Sequence, residues 1–317
     1  MQTRLHSVSA GLLMTLPSMQ VNQNVLAIDI GGTLVKLGVV DPTGCVHHSF
    51  HIDTRASRGA HALFDELAGI AQSLVQPYAL AGVAVSTLGV IDTVSGTVRG
   101  ASDAIPGYLG LSPKQLLWDA LQMPVLVEND VNCVALAEGW LGAAQGVENF
   151  VALTLGTGIG GGVFMGSQLY RGAHAAAGEW GYMVVGGERW EDVASLRGLG
   201  RLGARAIAGC TLDAKAIFER ADAGSVPHAA VVQEWLELLA SGLANLIYAF
   251  DPQCIVLGGG ITGRGPRVLA EIQAALDALL HPDFVGLQEL RLAAAGNHAG
   301  LLGAARAWFL AHPAGLA

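Results

Sequence analysis

The sequence contains few charged residues, and acidic side chains outnumber basic ones. Only 14% of its 317 residues are charged, and 17 lysines and arginines stand against 26 aspartates and glutamates, for a formal net charge of −9. A protein that binds nucleic acid needs a basic surface to neutralise the phosphates. The composition therefore argues against nucleic-acid binding. Any phosphate held by this chain must be bound mainly by backbone dipoles together with a divalent cation.

Cysteines and long apolar runs are also scarce. The four cysteines form no Cys-x-x-Cys pair and are typical of reduced thiols packed as small apolar groups in a cytosolic protein. No apolar run reaches the roughly 18 residues that span a bilayer. A short apolar stretch at residues 11–16 lacks the small-x-small cleavage site of a signal peptide. We expect a cytoplasmic protein that makes no membrane contact, with residues 1–22 as a disordered leader.

Apolar residues and glycine are abundant. Hydrophobic residues make up 52% of the chain, which favours a densely buried globular protein. A chain of this length can form two domains, each with its own core. The 43 glycines are dispersed without a short period, so collagen-like and linker structures are excluded.

A glycine-rich turn occurs twice, at residues 25–33 (VLAIDIGGT) and 151–162 (VALTLGTGIGGG). In each copy an apolar β-forming run stops at glycines mixed with threonine and then resumes, which predicts a hairpin. Without Cβ atoms in the way, successive N–H groups of such a turn can point into a phosphate. Two copies predict two halves that close on a polyphosphate, with the chemistry near the acidic pair at residues 128–130 (END).

Strand triplets that precede crossover helices occur in both halves and predict two α/β domains formed by internal duplication. Helical spacing predicts a helix over residues 61–76 that ends before Pro77, and another from Asp130 through Ala144. A last helix, over residues 300–309, is predicted to pack on the first half. The predicted domains are residues 23–130 plus 300–317 (N-terminal) and residues 131–299 (C-terminal).

Five motifs occur in one order and resemble those of the ROK sugar kinases and repressors. They are residues 29–33 (DIGGT), 128–130 (END), 156–162 (GTGIGGG), 174–179 (HAAAGE) and 257–260 (LGGG). The resemblance extends from about Val25 to Trp308. It implies two actin-like, ribonuclease H-like domains with a central cleft. ATP and sugar would meet in this cleft, and its closure would exclude water.

For the acidic pair, the resemblance implies that Asp130 is the general base. Phosphorylation of a sugar needs a base within about 3 Å of the attacking hydroxyl, to accept its proton. Asn129 corresponds to a residue that hydrogen-bonds sugar hydroxyls. Both residues also have purely structural interpretations, since Asp130 could be a helix N-cap and Asn129 a turn residue.

On the phosphate side, the resemblance implies that ATP and Mg²⁺ are bound. Asp29 would help to place the magnesium through water, as suits a cation that loses its hydration shell reluctantly. The other residues implied to bind the nucleotide are Gly31, Gly32, Thr33, Thr157, Gly158, Gly258, Gly259 and Gly260. Two alternatives remain open: a plain hairpin turn for residues 29–33, and a tight strand-to-helix turn for the three glycines that follow Leu257.

On the sugar side, the resemblance implies that Glu179 binds ring hydroxyls and Glu191 contacts the sugar near its anomeric end. Gly89 belongs to the loop that precedes the sugar. A surface position remains an alternative for Glu191, and His174 is interpreted as a packed or capping side chain more readily than as a ligand.

The chain departs from the family pattern at two places. Tyr182 replaces a histidine that in the family touches the sugar and ligates zinc, and residues 186–191 contain no cysteine. A tetrahedral zinc site needs several sulfur or imidazole ligands, so we expect no structural zinc. Ala104 replaces an asparagine that contacts a hydroxyl. Both departures leave the identity of the sugar open.

The leading prediction is an ATP-dependent hexose kinase, and specifically a glucokinase that phosphorylates the 6-hydroxyl. A kinase for N-acetylmannosamine or another hexose is the alternative within the same class. A non-catalytic, sugar-responsive regulator is the alternative outside it. Such regulators carry a helix-turn-helix domain, for which the roughly two dozen residues before the first turn are too few. Polyphosphate is a further candidate donor, and the resemblance implies a homodimer or homotetramer.

Overall fold

The structure of the protein is a computed structural model that describes residues 23–100 and 104–313. The predicted leader, residues 1–22, lies outside this part. The first half contains strands β1 (Asn24–Ile30), β2 (Leu34–Val40), β3 (Val46–Asp53), β4 (Leu80–Thr87), β5 (Val90–Asp92), β6 (Thr97–Gly100) and β7 (Val125–Asn129), with helices α1 (Ala60–Tyr78), α2 (Pro113–Leu121) and α3 (Asp130–Leu141).

The second half repeats this arrangement and adds helices. Its strands are β8 (Phe150–Leu155), β9 (Ile159–Met165), β10 (Gln168–Tyr170), β11 (Val184–Val185), β12 (Glu188–Arg189), β13 (Cys254–Gly258) and β14 (Glu289–Leu292). Its helices are α4 (Trp190–Ala194), α5 (Leu196–Ala206), α6 (Ala214–Asp222), α7 (Val226–Phe250), α8 (Pro266–Asp277) and α9 (Ala299–Ala311).

Two five-stranded sheets have the same plan, which confirms the predicted duplication. Their strand orders are β3-β2-β1-β4-β7 and β10-β9-β8-β13-β14. In each sheet the first strand pairs antiparallel with the next along the chain, through the predicted glycine-rich turn, and parallel with the strand on its other side. Strand β1 buries both faces, because its apolar residues are consecutive. Leu26 and Ile28 pack in one core cluster, and Val25 and Ala27, on the opposite face, pack in another.

Helix α3 connects the two sheets and contacts both. Cys133 and Ala137 pack in the cluster beneath β1 and β4, and Ala135 packs in the cluster beneath β8 and β13. Helix α9 lies across α3 and also contacts β1 and β4, so the last helix packs on the first half as predicted. The exact domain limits remain a prediction. Among the described residues, no helix combines the length and the apolar character needed to cross a bilayer.

Two predicted helix ends are wrong. Helix α1 continues past residue 76 to Tyr78 and includes Pro77, and Ala79 ends it in the left-handed conformation with φ of 49°. Pro77 removes only one N–H donor, the one that would bond the Ser73 carbonyl one turn earlier, and the Ala79 N–H still bonds the Val75 and Gln76 carbonyls, so the helix can continue to Tyr78. Helix α3 ends at Leu141, three residues earlier than predicted, and the Gly142 backbone after it is extended.

Candidate active site

Polar side chains meet where the parallel strands of the first sheet end. Asp29 on β1 stands opposite Ser86 on β4, and Ser86 stands opposite Glu128 on β7. The Ser86 hydroxyl donates a hydrogen bond to Asp29 Oδ1 at 2.8 Å. Because the carboxyl ends of parallel strands share one edge of a sheet, this register also brings Asp130, the residue after β7, to that edge.

Asn129 and Asp130 begin α3. The Asn129 Oδ1 accepts hydrogen bonds from the N–H groups of Val131 and Asn132, so Asn129 and not Asp130 is the N-cap. Asn129 Nδ2 donates to the Gly89 carbonyl and to Asp130 Oδ1, each at 3.0 Å. Asn129 therefore orients the Asp130 carboxylate and fixes the Gly89 loop beside it.

The Asp130 carboxyl has a strongly perturbed pKa. Burial, followed by the negative charges of Asp29 and Glu179, raises the pKa to about 7, even though the Val131 N–H donates to Oδ1 at 2.9 Å. A carboxylate with a pKa near neutrality can accept a proton and release it at working pH.

A cavity of about 520 Å³ contains the predicted sugar-side residues, and we call it the Glu179 cavity. Asp130, Asn129, Gly89, Glu179 and Glu191 all line it, together with Thr157 and Gly158 from the second glycine-rich turn. Burial and the neighbouring charge of Glu191 raise the pKa of Glu179. Several acceptor groups thus converge on one space of a size that suits a small polar ligand.

A second cavity, of about 700 Å³, contains the predicted phosphate-side residues, and we call it the Asp29 cavity. Its lining includes Asp29, Gly31 and residues 258–260 after β13. Gly259 has φ of +81°, and a Cβ there would lie 2.7 Å from the Leu155 carbonyl oxygen, so this turn accepts only glycine without strain. The two cavities share Asp130, which therefore faces both.

Two predicted nucleotide-binding residues lie apart from this arrangement. Gly32 and Thr33 are exposed at the β1–β2 turn and line neither the Glu179 cavity nor the Asp29 cavity. Their proposed contacts with phosphate stay a prediction. His174 is exposed and lines neither cavity, so it is not the packed side chain that the sequence suggested.

A third cavity, of about 620 Å³, adjoins the Asp29 cavity at Gly260 and Gly263. The Arg264 guanidinium lies 4.2 Å from the centre of the Phe218 ring and pairs with Asp222 and Glu271. Leu196 and Phe218 form the apolar part of the wall of this cavity, beside the charged groups. This third cavity is a slot that can hold a flat, aromatic group.

The Asp29 carboxylate fits a role beside a metal–phosphate group. Burial raises its pKa, and only Lys36, at 3.8 Å from Oδ2, offers an opposite charge nearby among the described residues. Carboxylate oxygens are ligands that Mg²⁺ prefers, directly or through water. Glycines and backbone line the same cavity, leaving room for an anion.

One cluster in the described part of the chain brings three potential metal ligands together: Asp41, Cys45 and His47, at the exposed β2–β3 turn. The Asp41 Oδ1 accepts hydrogen bonds from Thr43 and Cys45, and Oδ2 lies 2.7 Å from His47 Nε2, so these groups already hold the turn. The absence of structural zinc at residues 182–191 stays a prediction.

Sequence reasoning missed three polar side chains of the site. Ser86 positions Asp29, and the Lys36 Nζ reaches the Asn297 carbonyl at 3.0 Å. Glu138 is completely buried in α3 and lines the Asp29 cavity. The available signal was a lone charged residue within an apolar run, as in LVKLGVV for Lys36 and CVALAEGWL for Glu138.

Comparison with known proteins agrees with this geometry. The family model described as "ROK family" matches residues 25–311. A β-glucoside kinase of Klebsiella pneumoniae is 37% identical over 292 residues, covering 88% of this chain and 94% of the relative.

Two solved structures have the same fold. The ROK hexokinase of Thermus thermophilus has a TM-score of 0.81 and 32% identity, over 91% of this chain and 99% of that one. A ROK family glucokinase from Streptomyces griseus, in complex with glucose and AMPPNP, has a TM-score of 0.73 and 28% identity, over 89% of this chain and 98% of that one. The protein thus has the mixed α/β fold of two actin-like domains, and the chain belongs to the ROK family.

Proposed function

We propose that this chain, an ATP-dependent sugar kinase of the ROK family, transfers the γ-phosphoryl group of ATP to the 6-hydroxyl of a hexose, with glucose as the leading substrate. Asp130 is the general base in this proposal. Its position carries the argument, because Asp130 faces both the Glu179 cavity and the Asp29 cavity.

The hexose occupies the Glu179 cavity. Its hydroxyls bind Glu179, Glu191 and Asn129, and Gly89 holds the amide of Asn129 in place. The 6-hydroxyl lies against the Asp130 carboxylate and gives up its proton to it as the sugar oxygen attacks the γ-phosphorus. A new bond forms between the sugar oxygen and the γ-phosphorus while the bond from this phosphorus to the leaving ADP breaks. The proton then passes from Asp130 to the solvent.

The nucleotide extends through the other two cavities. Its phosphates lie along the glycines of the Asp29 cavity, and its base enters the slot beside Phe218 and Arg264. Thr157 and Gly158 lie on the wall of the Glu179 cavity, in the second glycine-rich turn, where the Gly156 N–H donates to the Gly158 carbonyl. In this proposal they contact the terminal phosphate at the point where it meets the sugar. Bound Mg²⁺ would neutralise the phosphate charge, and Asp29 would hold it through water.

A β-glucoside is a second candidate substrate. The Klebsiella relative named β-glucoside kinase is more similar to this chain than the Streptomyces glucokinase is. Tyr182, where the family has a histidine, is 49% exposed on the wall of the Glu179 cavity, beneath the guanidinium of Arg189. An exposed aromatic ring can stack on a sugar substituent. N-acetylmannosamine stays an alternative for the same reason.

A coupled assay with ATP and Mg²⁺ tests the proposal across glucose, mannose, N-acetylmannosamine and cellobiose. We expect turnover with at least one sugar, and a loss of about 10³-fold in kcat when Asp130 is replaced by Asn, with sugar binding retained. Replacing exposed Asp213 with Asn is the matched control and should leave kcat unchanged. Near-normal turnover of Asp130→Asn would remove the assignment. Sugar binding without turnover in the unaltered protein would select the regulator instead.

A further inference from the structure

Glu138 is a fully buried carboxylate for which the proposed reaction has no direct use. Its side chain is 0% exposed in the second half of α3. A charge is rarely buried in this way unless hydrogen bonds compensate for the lost water. The partners of Glu138 therefore indicate what it holds together.

The partners are backbone N–H groups from two distant segments. Oε2 accepts from Ala143 at 2.7 Å, and the carboxylate also accepts from Ala294 at 3.0 Å and from Ala295 at 2.9 Å. Ala294 and Ala295 are 156 and 157 residues further along the chain than Glu138. Hydrogen bonds to an ionised group are among the strongest in proteins, so this contact is a firm link between the segments.

The two segments are crossings between the two sheets. The first crossing runs from β7 through α3 and residues 142–149 to β8, and the second runs from β14 through residues 293–298 to α9. Any movement of one sheet relative to the other must pass through these connections. A single carboxylate thus ties both crossings at one point.

The second crossing is also a wall of the Asp29 cavity. Ala293, Gly296 and Asn297 line this cavity, and so does Glu138 itself. The first crossing begins at Asp130, at the opposite end of α3 from Glu138. The Glu138 carboxylate therefore fixes the distance between one wall of the cavity and the helix that carries the proposed base.

We propose that Glu138 is a positioning residue that clasps the two crossings and so sets the Asp29 cavity against Asp130. The clasp itself rests on geometry alone, and its effect on nucleotide affinity rests on the function proposed above. Glutamine cannot replace the carboxylate, since it has one accepting oxygen and its NH₂ group would face an N–H donor. Aspartate keeps the charge but is one methylene shorter, so it cannot reach both crossings.

Hydrogen exchange of the unliganded protein tests the clasp. We expect Glu138→Gln to accelerate exchange in both crossings, residues 142–149 and 293–298. The matched control is Asp41→Asn, whose carboxylate also accepts from two backbone N–H groups, both within its own turn. It should accelerate exchange only near residues 41–47. Acceleration at only one crossing in Glu138→Gln would contradict the clasp.

Binding of AMP-PNP and of the preferred sugar tests the consequence. Loss of charge-assisted hydrogen bonds should raise the dissociation constant of AMP-PNP about tenfold in Glu138→Gln. The dissociation constant of the sugar should change less than about twofold, which also shows that the variant is folded. The dissociation constant of AMP-PNP in Glu138→Asp should lie between those of the unaltered protein and of Glu138→Gln. Glu138→Asp takes the place of Glu138→Gln in these tests if the glutamine variant does not fold.

Unchanged AMP-PNP affinity with a lowered melting temperature would make Glu138 merely structural. If the unaltered protein does not bind AMP-PNP, the proposed function fails, and hydrogen exchange still decides whether the clasp exists.

Discussion

At the scale of single residues, the acid–base properties of Asp130 follow from its neighbours. Burial and the charges of Asp29 and Glu179 favour the protonated form and raise its pKa to about 7. A general base must be deprotonated to act. We therefore expect kcat/KM for the sugar to rise with pH through an apparent pKa near 7 and to level off above it.

Replacing Asp29 tests whether Asp130 is the group that sets the acid limb of this pH profile. Replacing Asp29 with Asn removes one of the negative charges that raise the Asp130 pKa, so the acid limb of the normalised profile should move to lower pH. Absolute activity should also fall, because Asp29 is proposed to place the magnesium. Asp213→Asn, at the start of α6, should leave the limb in place. A limb that does not move in Asp29→Asn would mean that another group limits the rate.

Ionisation of Asp130 should also lower the free energy of unfolding as the pH rises. Its folded pKa of about 7 is above the unfolded value of 3.8, so its contribution to stability is lost between these pH values. We expect Asp130→Asn to be more stable than the unaltered protein at pH 8, by about 2 kcal/mol after allowance for water at the half-buried carboxyl, and to show little difference at pH 4. Urea unfolding at both pH values measures this.

A matched substitution should have the opposite sign. Hydrogen bonds from Thr43, His47 and Cys45 outweigh the burial of Asp41 and lower its pKa to about 2. A lowered pKa contributes stability above the unfolded value, so Asp41→Asn should be less stable than the unaltered protein at pH 8. If Asp130→Asn is also less stable than the unaltered protein at pH 8, burial does not destabilise the charged form of Asp130.

At the scale of elements, a close approach of the α9 backbone to the α3 backbone requires a glycine at position 303. A Cβ at Gly303 would overlap the carbonyl group of Cys133. Gly303→Ala should therefore force the two helices apart and cost about 1–3 kcal/mol of unfolding free energy. Gly69→Ala, in the exposed face of α1 with nothing near the new methyl group, is the matched control. It should stabilise the protein by up to about 1 kcal/mol. Equal effects in thermal melts would contradict this packing.

The elements were predictable where local signals suffice. The hairpins around both glycine-rich turns, the strand β13 before its glycines and helix α2 follow from apolar runs bounded by turn residues. The end of α1 was not predictable from Pro77 alone, because proline at the last turn is compatible with helix.

The site was predictable in part for a related reason. Asp130, Asn129 and Glu179 lie in short motifs, and the structure brings them to one cavity. Glu138 and Lys36 have partners more than 150 residues away along the chain, and no local pattern records such a pairing. Gly32 and Thr33 belong to a motif, yet the turn leaves them outside the cavities.

At the scale of the whole molecule, the sugar and the nucleotide should bind cooperatively. The Glu179 and Asp29 cavities share Asp130 and Val131, which begin α3 directly after the first sheet, and Thr154 and Gly259, which lie in β8 and just after β13 of the second sheet. A ligand in either cavity therefore contacts both halves and favours the arrangement in which they are close. The second ligand then meets a site that is already assembled.

We expect the sugar to raise the affinity for AMP-PNP about tenfold, and AMP-PNP to raise the affinity for the sugar by the same factor, since coupling of binding free energies is reciprocal. Calorimetric titrations in both orders measure the two factors. The coupling should be weaker in Glu138→Gln, where the crossings are no longer tied, and unchanged in Asp41→Asn. Independent binding in the unaltered protein would show that ligand binding in the two cavities is not coupled. Closure of the two halves would then contribute nothing to the affinity for either ligand.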